Sequence, residues 1–187
     1  MPALYTNIVQ ILKFSRQTKN QADELLKQGK VIDILSKYGK VVVTGSYKYD
    51  LMYGPDIDLI VLSEDPGKDA EKALIDFVSE RNFQKYQFGD FYKHPINKRP
   101  KSYIVVLIHE YKGRRWEIEV WFHKRLPTTD VDSELEEMLL SVSDRQREVI
   151  LNLKHQLEVS KTSKHKLNSV ALYKGVLQEG KVSIEQY

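Results

Sequence analysis

The stretch from Val41 to Asp65, VVVTGSYKYDLMYGPDIDLIVLSED, decides the fold. It opens on a run of β-branched residues, breaks at Gly45-Ser46, and resumes as a second apolar run, DIDLIVL, headed by two acids. β-branched side chains are stiff at χ1 and suit a pleated, half-buried surface, so the segment predicts strand, corner, strand. Residues i and i+2 of a strand share a face. Asp56 and Asp58 therefore project together, opposite Ile57, Leu59 and Val61. Two carboxylates at that spacing disfavour each other's ionised form unless something neutralises them. Either the pair is a solvated strand end, or it holds a divalent cation. Hard oxygen ligands select Mg²⁺, which keeps water and phosphate oxygens as its other ligands.

A second alternation lies further on, in RRWEIEVWF, where Glu117 and Glu119 share one face and Ile118 and Val120 take the other. This is an edge strand whose solvent face guards against aggregation, or it brings a third carboxylate beside the first two for one or two Mg²⁺ ions to share. The Gly45-Ser46 corner also has two readings. It is a plain strand-to-turn glycine, or the start of a helical turn whose N–H groups, with the Ser46 hydroxyl, favour a phosphate.

Taken together, Gly45-Ser46, nine residues, Asp56-x-Asp58 and a later acid on a strand resemble the nucleotidyltransferase superfamily of DNA polymerase beta type, over residues 38 to 122. The resemblance implies Mg²⁺ held by Asp56 and Asp58, and an NTP triphosphate over Gly45 and Ser46 with Lys48 nearby. ATP is the default donor. It implies Glu119 as the third acid, chosen over Glu117 because IEVWF fits the family's apolar-acid-apolar form. Glu119 would bind the ion that activates the attacking hydroxyl or act as general base, and pyrophosphate would leave from the α-phosphate. The chain departs from the family at Tyr49. Small antitoxin-like members carry an arginine there, as does the GGxVRD segment of tRNA nucleotidyltransferases. The implied acceptor is a small hydroxylated molecule, a protein hydroxyl or an RNA 3′ end. The rival reading is a non-catalytic nucleotide- or RNA-binding, antitoxin-like module on the same fold.

Outward from this centre the chain reads as helix before residue 38, with a break at Gly29. A helix follows DPGK, then a weak strand after residue 82, a hairpin turning at Lys112-Gly113-Arg114, and helices past Pro127, one capped by Ser143 and the last ending at Gly180. The expected class is α+β (α/β layered): a mixed sheet with helices packed on it in a catalytic domain, 1–127, and a C-terminal helical extension, 128–187. No G-x-G-x-x-G or G-x-x-x-x-G-K-[ST] motif occurs, which argues against a Rossmann site or a P-loop.

Composition narrows the rest. Hydrophobic residues at 41% and charged residues at 29% suit a globular chain. The absence of cysteine excludes disulfides, zinc-cysteine sites and thiol nucleophiles, and fits a cytoplasmic protein. Apolar runs such as YIVVLI are too short to span a membrane, and the N-terminus lacks a signal-peptide pattern. A net charge of +3 does not by itself imply nucleic acid. Basic residues do gather at 93–101, 112–115 and 123–125, with Lys161, Lys164, His165 and Lys166 beyond; they guide an anion or form a solvated face. Tyr47, Tyr49 and Tyr53 either stack a base or cover the sheet edge. The histidines show no metal-ligand spacing, and packing or surface roles are expected. Oligomeric state stays open.

Overall fold

The computed structural model describes residues 8–95, 100–128, 131–159 and 167–187. The four basic residues of the tail and positions 96–99 of the 93–101 cluster lie outside the described residues. The chain forms two compact units. One contains residues 19–48 and 54–128; the other gathers the described residues within 1–18, 49–53 and 129–187. Helix α1 (Ile8–Gln28) contributes to both.

The first unit is built on a five-stranded mixed sheet in the order β1-β2-β5-β4-β3. Strand β1 (Lys40–Thr44) runs antiparallel to β2 (Asp56–Leu62), and β2 lies parallel to β5 (Arg114–His123). Strand β4 (Tyr103–Tyr111) joins β5 and β3 (Lys85–Asp90), antiparallel to each. The β4–β5 hairpin turns on Lys112 and Gly113, with φ of 50° and 74°. Two left-handed residues in succession match the twist of the flanking strands, and glycine takes the second without a Cβ clash.

Helix α4 (Pro66–Glu80) begins at Asp65, whose side chain accepts from the Lys68 N–H, and continues through Pro66 at its first turn. It packs on β3, β4 and β5 and against the short α2 (Val31–Leu35), which abuts β1. Ala70, Ala73 and Phe77 of α4 are fully buried, as are Leu59, Val61, Val105, Leu107, Trp116, Ile118, Val120 and Phe122 of the strands. Their alternation gives the sheet one helix-covered face and leaves Asp56, Asp58, Glu117 and Glu119 on the other. Phe77→Ala is expected to lower stability by about 3–5 kcal/mol, read as a fall in the denaturant midpoint at unchanged slope.

The second unit is helical. Helices α5 (Ser133–Leu140), α6 (Asp144–Val159) and α7 (Ser169–Leu177) bury Leu135, Leu139, Ile150, Leu153, Leu172 and Val176 in one cluster. Asp132 and Asn168 cap α5 and α7, accepting from Leu135 N and Ala171 N at 2.9 and 2.8 Å. The expected Ser143 cap is present, with Gln146 N at 3.3 Å from the Ser143 hydroxyl and the Gln146 side chain accepting in return from Ser143 N. Helix α7 stops at Leu177, three residues before the glycine expected to end it. Gly180, at φ +68°, shapes the connection beyond, where Lys181 N donates to Gly175 O at 2.8 Å. Among the described residues no helix is long and apolar enough to cross a membrane.

Residues 49–53 belong to this helical unit. Tyr49 and Leu51 lie in its core, Arg147 donates to the carbonyls of Tyr49 and Asp50 at 3.0 and 2.7 Å, and Lys154 donates to Leu51 O at 2.8 Å. The link between the Gly45 corner and Asp56 is thus clamped by cations of a helix far downstream in sequence.

Candidate functional site

The pairing of β2 with β5 sets the site. In their parallel register Asp56 stands beside Glu117 and Asp58 beside Glu119. Side chains at paired positions of neighbouring strands point to the same face, so four carboxylates form two rows of two. All four line a single cavity of about 310 Å³, together with Pro55 and Arg115. Asp58, Glu117 and Glu119 are half-buried, while Asp56 at the strand start is exposed.

Two glycines lie against the aspartates. Gly45, at φ +67°, opens a one-turn helix, α3 (Gly45–Lys48), and a Cβ on it would run into the Asp58 carboxylate, with Cγ at 3.1 Å. A Cβ on Gly54 would likewise meet Oδ1 of Asp56. The corner thus needs glycine for its left-handed backbone and for the approach to Asp58. Glu119 is steadied from its own strand, since Trp121 Nε1 donates to Glu119 Oε2 at 3.1 Å. The indole packs in turn on Phe91, with ring centroids 5.8 Å apart. Ser46 and Lys48 follow Gly45 within α3 and line neither this cavity nor the one described below.

Four hard oxygen donors facing one cavity match the donor set of a divalent ion such as Mg²⁺. Among the described residues, no three His, Cys, Asp or Glu side chains stand close enough together to hold a metal ion in their present rotamers. Carboxylates that share a face repel one another, and Arg115 on the same lining or a bound cation would offset that repulsion.

A second cavity, of about 280 Å³, meets the first at Asp58. Its further walls include Ile60, Pro100, Trp121, Pro127 and His123. His123 is 6% exposed, and burial pushes its pKa below the usual histidine value. Sequence reading grouped His123 with the packing and surface histidines. The signal that distinguishes it is the same two-residue spacing that pairs the glutamates, extended through Trp121 along EIEVWFH.

The three tyrosines near the corner are engaged within the protein. Tyr47 donates to Asp23 at 2.6 Å beneath the Lys19 ammonium, 4.0 Å from its ring centre, Tyr49 is 8% exposed, and Tyr53 bonds to His155 Nδ1 at 2.6 Å. The basic clusters are similarly divided. Lys112 pairs with Glu24, Arg114 lies 5.6 Å over the Trp116 ring, and Lys124 is 3.5 Å from Glu64, while Arg115 alone of these lines the acidic cavity.

No protein-family model matches the chain, and no curated protein matches it significantly.

Proposed function

We propose that the chain is a small cytoplasmic nucleotidyltransferase with a polymerase-beta-like core, moving an NMP, by default AMP, from an NTP to a hydroxyl acceptor. The observation that carries this reading is the β2–β5 register, which sets Asp56 and Asp58 against Glu117 and Glu119 around one cavity, with Gly45 against the Asp58 carboxylate. A binding module has no need of four like charges on one sheet face, where they weaken the fold.

Asp56, Asp58 and Glu119 would hold Mg²⁺. When bound, the ion supplies positive charge to the attacking and departing oxygens of an in-line displacement. The α3 turn, with the Ser46 hydroxyl and the Lys48 ammonium, receives the triphosphate. Glu119, bonded to the Trp121 indole, either holds the ion that activates the acceptor hydroxyl or takes the hydroxyl's proton itself. The acceptor oxygen bonds to the α-phosphorus, the bond from that phosphorus to the bridging oxygen breaks, and pyrophosphate departs. Arg115, in the same cavity, offers a fixed positive charge to the phosphates.

Calorimetric titration with ATP tests the reading. Binding is expected in the presence of Mg²⁺ and is expected to collapse when the ion is chelated. Binding indifferent to the ion would instead favour the non-catalytic module, for which the spread of the carboxylates also speaks. Glu119→Gln and Glu117→Gln separate the two glutamates in a transfer assay. Glu119→Gln is expected to lose about 10²-fold or more in kcat, and Glu117→Gln less than tenfold.

A further inference from the structure

The cavity beside the acids has two properties that packing does not account for. It is walled by apolar groups, Ile60, Pro100, Trp121 and Pro127, yet has the His123 imidazole on its lining. His123 is 6% exposed, and its ring nitrogens are not among the fully buried unpaired atoms, which among the described residues are those of Gln21, His109 and Trp116, so the ring keeps access to the cavity. Its backbone carbonyl accepts from Ser63 N at 2.9 Å. A neutral imidazole offers one donor and one acceptor. A cavity of about 280 Å³ is at the small end for ligand sites and has room for one ring system.

We infer that this cavity seats a single ring of a substrate, with an apolar face against Trp121 and the prolines and a hydrogen-bonding edge on His123. The inference rests on the nucleotidyltransferase reading in one respect: through Asp58 the seat opens onto the acids where transfer would occur. The ring belongs either to the donor, as its nucleobase, or to the acceptor, as a hydroxylated ring; both present an apolar face and a polar edge.

Ring binding is measured on the full chain with compounds that carry no phosphate, so that neither Mg²⁺ nor the carboxylates are required. One series is adenosine, guanosine, cytidine and uridine; the other is methyl glucoside and inositol. Two signals report: the His123 imidazole resonances, and fluorescence from Trp121, whose only companion, Trp116, is buried on the opposite sheet face. Perturbation by a nucleoside is expected if the seat takes the donor's base, and perturbation by a hydroxylated ring if it takes the acceptor. His123→Phe, which preserves volume and removes both hydrogen-bonding atoms, is expected to weaken that binding about tenfold. Should neither series move either signal in the unaltered protein at millimolar concentration, the inference is overturned, whether or not the variant folds. The underlying reading fails separately. Ring binding without Mg²⁺-dependent ATP binding sinks the transferase alone, and the reverse pattern sinks the ring seat alone.

Discussion

Asp56→Asn is expected to abolish nucleotidyl transfer, by about 10²-fold at the least, while leaving thermal stability unchanged or raised. The two halves of this outcome have one cause. Asp56 starts β2 beside Glu117 and two residues from Asp58, so it shares its face with three other carboxylates, and with Arg115 in the same cavity. The amide keeps the shape and removes the charge, which relieves repulsion and removes a metal ligand together. Asp56 is exposed, so no buried partner is stranded by the change. Thermal melts with and without Mg²⁺ complete the test. The unaltered protein is expected to gain stability from the ion through mass action, and the variant to gain less. A variant with undiminished transfer, or one that melts well below the unaltered protein, would remove Asp56 from the proposed centre.

Gly45→Ala is expected to damage both stability and activity. The left-handed backbone at Gly45 (φ +67°) costs an L-residue about 1–2 kcal/mol. The added methyl would also press on the Asp58 carboxylate, and relief requires either Asp58 or the α3 turn to move. Transfer is expected to drop more than the stability loss explains, which separates a positional effect from partial unfolding once activity is measured well below the melting temperature. Gly180→Ala is the control. Gly180 has a similar φ, +68°, but nothing lies within 4 Å of its added methyl, so the same backbone cost should appear with transfer intact.

Much of the architecture was legible in local pattern. Strand β2 spans the residues of DIDLIVL, because β-branched and apolar residues with two acids leading admit few other conformations. The β4–β5 hairpin turns where Lys112-Gly113 interrupts two alternating runs, and Asp65-Pro66 starts α4 by capping chemistry. The segment 49–53 was not legible. Its aromatics read as surface or stacking groups, and only the Arg147 and Lys154 contacts reveal it as part of the helical unit. His123 was legible only in part: the two-residue spacing puts it on the face of Glu117, Glu119 and Trp121, but its burial beside a cavity has no local sign.

The chain's own order of residues determined which side chains share a face: Asp56 with Asp58, and Glu117 with Glu119. That follows from the two-residue period of an extended backbone and needs no partner strand. Which strand lies beside which was decided only by tertiary structure, because β2 and β5 meet after α4, β3 and β4 have intervened. The sheet's hydrogen bonding and the burial of Ile57, Leu59, Ile118 and Val120 select the register. That register, through no local preference of the acids themselves, assembles two rows of carboxylates at one cavity.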